Sequence, residues 1–456
     1  MRFKDPDMPL HAGQSREHAV VIGASLAGLF AARVLSDHFG RVTLIERDPV
    51  HNRPESRKGQ PQTRHLHGLL AQGKNIIERF FPGIERDLVE GGAIVADMGA
   101  ATRWFHFGDY RVQFESGLMG MLMSRPFLEW HVRRRVLERP NVSLMAPCVV
   151  EELAADAGGT RVDGVMVSNG RDPPGAHAVT ADLTLDACGR GSLSPRWLAG
   201  LGYDRPSEEE VKIRVGYATR LYRRRPDDLP GAVVAMVMST PPKGKRLAAL
   251  FPIEGERWIV TAGGWAGDHP PTDEEGYLRF MREMPAPDIY DVICRAEPLS
   301  DIVAYKFPAN LRRNYQDLRR FPDGYLVLGD AVASFNPIYG QGMTSAAMQA
   351  EALDELLRGQ RPLGGFWRPY FKRIGRIVDL PWQMAVGEDF RFPETEGAKP
   401  FGVDLINAYV ARVHRATHHD PVVYAQFLRA MNLLAPASSL MRPRIAWRVL
   451  RGRAIR

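Results

Sequence analysis

At 456 residues, 45% of them hydrophobic and 25% charged, the chain has the balance of a folded protein with more than one domain, which excludes a disordered chain. No stretch approaches the roughly 20 uninterrupted apolar residues needed to span a bilayer, and the first residues, MRFKDPDMPLHAGQSREH, lack the apolar centre of a secretory signal and read as an unstructured lead-in. The net charge of +7 is carried mainly by arginine, in runs such as Arg133-Arg134-Arg135 and Arg223-Arg224-Arg225 and in the tail from Arg442 to Arg456; with no zinc-finger or RNA-binding spacing beside them, these read as solvated faces and not as a nucleic-acid surface.

The first predicted element is a buried strand, His18-Ala19-Val20-Val21-Ile22, running into Gly23-Ala24-Ser25-Leu26-Ala27-Gly28. A helix follows to about Phe39, with Gly28, Ala31, Ala32, Leu35 and Phe39 on one face, then a second strand, Val42–Ile45, ending at Glu46 and Arg47. This is a dinucleotide-binding βαβ unit. Gly23 permits the tight turn and Gly28 the close approach of helix to strand. Ser25 stands where the middle glycine of G-x-G-x-x-G usually meets the pyrophosphate, and its hydroxyl is a candidate donor to a phosphate oxygen. Leu26 and Ala27 open a helix whose free N–H groups favour an anion. Glu46 is placed to accept from adenosine ribose hydroxyls. The unit alone does not separate NAD from FAD.

Next comes Arg57-Lys58-Gly59-Gln60-Pro61-Gln62-Thr63-Arg64-His65-Leu66-His67. It reads as a loop over a cofactor, with Lys58, Arg64 or His67 near phosphate or flavin, or equally as a solvated loop entering a helix. Nothing beside His65 and His67 completes a metal-ligand set, so no metal is expected. Strands are expected between Ala93 and Phe114, and again over Val211–Leu221, Ala232–Met238, Leu247–Phe251 and Trp258–Thr261, separated by Pro241-Pro242-Lys243-Gly244 and Glu254-Gly255-Glu256. They suggest an antiparallel sheet, with Trp104, Phe105, Phe107, Tyr217, Phe251 and Trp258 as candidate lining of a substrate pocket. Between these strand groups, Leu183–Asp186 runs into a glycine-rich turn, Ala187-Cys188-Gly189-Arg190-Gly191-Ser192.

Farther on, the strand Tyr325–Leu328 leads into Gly329-Asp330, and Pro337-Ile338-Tyr339-Gly340-Gln341-Gly342-Met343 then opens a helix-forming run. An acid at a strand end suits a ribityl hydroxyl, and glycines at a helix start let N–H groups face the flavin pyrimidine, which becomes anionic on reduction. Residues 361–456 read as helices broken at Pro381, Pro393, Pro400, Pro421 and Pro436. The basic, apolar tail suits docking on the protein body or, alternatively, peripheral contact with a membrane surface. Three scattered cysteines, Cys148, Cys188 and Cys294, form neither a disulfide framework nor a metal site, and a cytoplasmic location is expected.

The turns G-A-S-L-A-G, D-A-C-G-R-G-S and L-G-D-A…N-P-I-Y-G-Q-G-M resemble those of single-component FAD monooxygenases of the para-hydroxybenzoate hydroxylase fold. Arg57–His67, Phe251-Pro252-Ile253-Glu254-Gly255 and Asp379-Leu380-Pro381-Trp382 are similar to segments of the olefin epoxidases of polyether antibiotic pathways. The resemblance implies an α/β chain with a discontinuous Rossmann-like FAD-binding domain (18–90, 119–204 and 301–360), an antiparallel substrate domain (91–118 and 205–300) and a C-terminal helical region (361–456). It implies cofactor contacts at Gly23, Ser25, Leu26, Ala27, Gly28, Glu46, Arg47, Lys58, Arg125, Gly189, Asp330, Pro337, Gly340, Gln341, Gly342 and Met343. Cys188 occupies the position at which many aromatic hydroxylases of this fold carry aspartate, a departure that bears on reduction by a nicotinamide.

The implied activity is insertion of one atom of O2 into a lipophilic small molecule through a flavin hydroperoxide, with NADPH or NADH as transient electron donor. Epoxidation of an alkene is expected first, since no residue stands out as a base for a phenol. Aromatic hydroxylation, a flavin dehydrogenase or reductase acting on a prenyl or polyketide skeleton, and a flavin-holding redox sensor or scaffold are the alternatives. No catalytic residue is assigned, and no W-x-W-x-I-P segment of the halogenase kind is present.

Overall fold

The computed structural model describes residues 16–168, 175–359 and 361–451, so the expected lead-in and the last residues of the tail lie outside the described residues. The apolar runs expected to be buried strands line up in a five-stranded parallel sheet in the order Tyr325–Val327, Leu183–Asp186, His18–Ile22, Arg41–Ile45, Val142–Met145. Every residue of His18–Ile22 is buried, as a strand covered on both faces requires. The helix Leu26–Leu35 returns along this sheet and packs on the helices Arg125–Leu137 and Gly342–Arg358.

A second, eight-stranded sheet runs Ala333–Ser334, Val303–Arg313, Glu208–Arg223, Arg257–Gly264, Arg246–Ile253, Val234–Met238, Thr102–His106, Asp109–Tyr110. The expected sheet is therefore present, but it is mixed: Val234–Met238 pairs parallel to Thr102–His106, because the two arrive from distant segments and not through a hairpin. The strand Val303–Arg313, from a segment expected beside the flavin, belongs to this sheet and pairs with Glu208–Arg223.

Its two faces meet different neighbours, and the twofold alternation of strands decides which side chain goes where. Ala218, Tyr222, Trp258, Val260 and Ala262 share one core with Tyr277, Phe280 and Ile289 of the short helices Glu274–Arg282 and Asp288–Ile293. Tyr217, Thr219 and Thr261, of the opposite parity, face the other way, toward His65 and Asn336.

Beyond residue 360 lie the helices Trp367–Asp389, Val403–Ala416, Pro421–Met431 and Pro443–Arg451. Pro381 does not break the first of these. It sits buried inside it with Val378, Trp382 and Ala385, and burial of that face outweighs the roughly 3 kcal/mol that an interior proline costs. Pro421 opens its helix instead of ending one: it occupies the first turn, where a missing N–H costs nothing, and the Asp420 carboxylate accepts from Val422 N at 2.9 Å and Val423 N at 3.2 Å. The tail helix Pro443–Arg451 rests on the two helices before it through Ile445 and Val449, and Arg448 pairs with Asp420 at 2.7 Å. Among the described residues no helix is long and apolar enough to cross a membrane.

Candidate functional site

The carboxyl ends of the parallel strands, one face of the large sheet and the C-terminal helices enclose a cavity of about 1200 Å³. That exceeds the space one drug-sized ligand takes and has room for a dinucleotide and a second molecule.

At one end the first strand turns through Gly23, whose φ of +98° and whose closeness to Ala187 O (2.8 Å from a hypothetical Cβ) both demand glycine. A Cβ on Gly28 would fall 1.8 Å from Gly23 O, so the helix lies on the turn itself, and Gly28 acts through packing, behind the cavity wall. Leu26, Ala27, Ser25, Glu46 and Arg47 are in the wall. Glu46 is already engaged: its carboxylate accepts from Ala24 N and Asp48 N, each at 3.0 Å, and pairs with Arg57 at 2.9 Å.

Arg57, buried, also reaches Glu129 at 2.7 Å, and Glu129 takes Arg125 at 2.8 Å with Arg133 at 3.7 Å. The Ser25 hydroxyl donates to Glu129 at 3.1 Å and accepts from Arg125 at 3.0 Å. Its proton is thus committed to a carboxylate and not free for a phosphate. Burial disfavours an ionised Glu129, but Arg125 and Arg57 outweigh it and hold the carboxyl below its ordinary range. Three guanidinium groups against two carboxylates leave the cluster with one excess positive charge beside an open helix start, an environment that suits a diphosphate.

Lys58 is exposed and outside the cavity wall; its neighbour Arg57 faces inward instead. Reading the sequence for charge alone missed Arg57 and Glu129. The available signal was the spacing of Arg125, Glu129 and Arg133, which stacks three charges on one face of a helix otherwise marked for burial.

Farther along, Gly189, Cys188, Asp330, Pro337, Gly340, Gln341, Gly342 and Met343 come together in the wall. Cys188, at the position where aspartate was the comparison, follows Asp186, which turns inward to accept from Cys188 N at 2.8 Å and from the hydroxyls of Ser192 and Ser194. The Asp330 carboxylate has no hydrogen-bond partner among the described residues, and desolvation in the cleft pushes it up to about 6 against the pull of Arg190 and Arg125. A Cβ on Gly342 would lie 3.6 Å from Asp330 Oδ1. Among the described residues the helix Gly342–Arg358 has no side-chain cap, which leaves its first-turn N–H groups without that partner, and Gln341 Oε1 and Thr344 Oγ1 are buried with no hydrogen-bond partner.

Behind this turn Asn336 is held twice over: its Oδ1 accepts from Tyr217 OH at 2.7 Å, and its Nδ2 donates to Asp389 at 3.0 Å. Asp389, wholly buried at the end of the helix Trp367–Asp389, also accepts from Asn310 at 2.7 Å and from Tyr339 OH at 3.0 Å. An unpaired acid, an uncapped helix start and a glycine in left-handed backbone at 340 fit a flavin with its ribityl chain at this turn.

Of the expected pocket aromatics, Trp104, Tyr217 and Phe251 line the cavity. Phe105 and Trp258 do not: their parity turns them into the core on the far face of the sheet. Phe107 follows the strand end in a left-handed turn (φ 57°) and stacks behind the wall on His414, with ring centroids 4.7 Å apart. His65 and His67 do line the cavity; burial keeps both rings neutral, at about 4. Among the described residues no group of three or more His, Cys, Asp or Glu side chains is arranged to hold a metal.

No family model matches the chain. It is 35% identical to Protein Rv3254 of Mycobacterium tuberculosis over 443 residues, covering 92% of this chain and 90% of that one. It is 24% identical to a kynurenine 3-monooxygenase of Salinispora tropica over 377 residues, 75% of this chain and 73% of that protein. The crystal structure of p-nitrophenol 4-monooxygenase PnpA from Pseudomonas putida superposes with a TM-score of 0.64 at 16% identity, over 93% of this chain and 100% of that one. At that identity the likeness establishes the fold, the one that FAD-dependent monooxygenases share.

Proposed function

The chain belongs to the family of Protein Rv3254, in the fold of FAD-dependent monooxygenases, and from that premise we propose that it binds FAD and transfers one oxygen atom of O2 to a lipophilic small molecule. The observation that carries the reading is the meeting, on one cavity, of a partnerless Asp330, an uncapped helix start at Gly342 and a buried cluster with one excess positive charge. The backbone N–H groups of Ser25, Leu26 and Ala27 would hold the diphosphate with Arg125 behind them. Glu46, Arg47 and Gly189 would hold the nucleoside side, and Asp330 the ribityl chain. Pro337 and Gly340–Met343 would bound the ring system.

FAD reduced by NADPH or NADH supplies the electrons that activate O2. The chain's own part is to bind, orient and keep water out, for which Phe251, Met236 and Met238 supply an apolar face. Alkene epoxidation is the favoured reaction. Tyr217 OH is spent on Asn336, and His65, at about 4, is a weak base at neutral pH. Aromatic hydroxylation is the second reading, favoured by His65 Nε2, which lies buried without a partner among the described residues.

Purified protein should be yellow with FAD and should oxidise NADPH faster with a lipophilic alkene, with labelled oxygen from O2 appearing in the product. Unlabelled product would indicate a dehydrogenase or reductase, and no donor-dependent turnover with any alkene or phenol a flavin-holding sensor or scaffold. Asp330→Ala should weaken FAD binding about 10- to 100-fold, the loss of a charged hydrogen-bond partner worth roughly 1.5–3 kcal/mol. Full flavin occupancy in that variant at limiting FAD removes Asp330 from the site.

A further inference from the structure

Behind the cavity wall beside the strand Thr102–His106 lies Arg111, 4% exposed, with no carboxylate in ion-pair reach among the described residues. Its guanidinium sits 3.9 Å from the ring centroid of Trp104 and 4.6 Å from that of Phe427. It donates to Thr417 Oγ1 and, at 2.7 Å, to His414 Nδ1. The acid whose field reaches it, Glu388, is already clasped by Arg391 through both oxygens, at 2.6 and 3.0 Å. Burial pulls Arg111 down to about 10, which leaves it charged at neutral pH. A buried cation without a counter-ion is costly, and a ligand anion is one way to offset that cost.

The contact also decides the chemistry of His414. Arginine has no lone pair to offer, so Nδ1 must be the acceptor and the ring proton sits on Nε2. Burial and then Arg111 hold the ring well below its ordinary range, so it stays neutral. Phe107 is stacked on one face, and His106 meets the ring edge-on at a centroid distance of 4.8 Å, which fixes its orientation. The two nitrogens of an imidazole diverge, so holding Nδ1 toward Arg111 turns Nε2 away from it. His414 lies in the cavity wall, and its Nε2 has no partner among the described residues. The cavity is thus presented with an N–H donor backed by an unpaired positive charge.

This donor lies beside a strand well along the sheet from the flavin turn. Tyr217, which touches that turn, is on Glu208–Arg223, and three strands intervene before Thr102–His106. Four interstrand steps of about 4.8 Å make roughly 19 Å along the sheet. Leu247, Phe251, Met236 and Met238 line the stretch between.

We propose that the cavity takes an elongated apolar molecule with a carboxylate at one end, received by His414 Nε2–H, so that the carbon presented at the flavin turn is remote from the charge. The assignment of the flavin end rests on the function proposed above; the carboxylate site does not.

Calorimetric titration of FAD-loaded protein with undecylenate, a terminal alkene bearing a carboxylate at its far end, and with its methyl ester tests the proposal. The acid should bind at least about tenfold more tightly than the ester, a charge-assisted hydrogen bond against a neutral one. His414→Phe and Arg111→Met should each abolish that preference at unchanged FAD content, and His414→Gln, which keeps an N–H donor, should retain part of it. Equal binding of acid and ester, binding of neither, or a preference that survives in both His414→Phe and Arg111→Met overturns the proposal. Should Arg111→Met fail to fold, the two His414 variants decide. A protein that takes up no FAD sinks the flavin reading alone, because acid and ester are then compared on the apoprotein.

Discussion

Asp389→Asn isolates one buried charge whose cost can be worked from its surroundings. Asp389 is 0% exposed and, among the described residues, has no cationic partner, only the donors of Asn310, Asn336, Tyr339 and Trp265. Burial, only partly countered by these four, lifts its carboxyl from 3.8 to about 6. About two pH units at roughly 1.4 kcal/mol each make ~3 kcal/mol. The folded chain holds this proton more tightly than the unfolded chain, so the contribution to stability is whole below about pH 4 and is lost as pH rises through about 6. Asparagine does not titrate. Between pH 5 and 8 the variant should therefore gain about 1.4 kcal/mol relative to the parent, the part of the ~3 kcal/mol still to be lost above pH 5. Urea unfolding of both proteins across that range gives the double difference, in which any constant effect of the amide cancels. Stability curves that stay parallel from pH 5 to 8 would refute the reasoning.

Arg57→Met leaves Glu46 with no guanidinium and Glu129 with Arg125 as its nearest one, both carboxylates at most 10% exposed. Breaking such a pair from one side should cost about 3 kcal/mol in urea unfolding, and a loss under ~0.5 kcal/mol would show the cluster to be wetter than its burial indicates. Cys188 and Cys294 are both exposed, but desolvation in the cleft and then Asp186 hold the Cys188 thiol well above its ordinary range, so N-ethylmaleimide at pH 8 should label Cys294 first and Cys188 slowly, and added FAD should slow Cys188 further. Mass spectrometry of the labelled peptides reads the order; Cys188 reacting fastest, or at a rate indifferent to FAD, contradicts its placement.

The parts that sequence made legible are those governed by local rules. His18–Ile22 is an unbroken apolar run, which only a strand covered on both sides tolerates, and the glycines at 23 and 28 sit where the backbone crowds itself. Most strands of the large sheet are equally plain, though not its parallel pair nor the strand Val303–Arg313, and their parity carries the facing of each side chain. Alternation from Tyr217 already assigns Tyr222 to the opposite face, and cross-strand pairing with Tyr222 carries Trp258 along. Lys58 and Arg57 are indistinguishable by charge; only the acids at 46 and 129, brought together by a strand end and a helix, decide which one turns inward. His414 carried no local mark at all. Its tautomer is set by an arginine 303 positions earlier in the chain, a relation that exists only after folding.

The parallel sheet has its central strand at the start of the chain and one edge strand at Tyr325–Val327. Its middle partner, Leu183–Asp186, exposes an unpaired flank until that distant segment leaves the ribosome. For most of synthesis the nascent polypeptide therefore carries an incomplete nucleotide cradle beside a raw β-edge, and chaperone occupancy during translation should persist until about residue 330 has emerged.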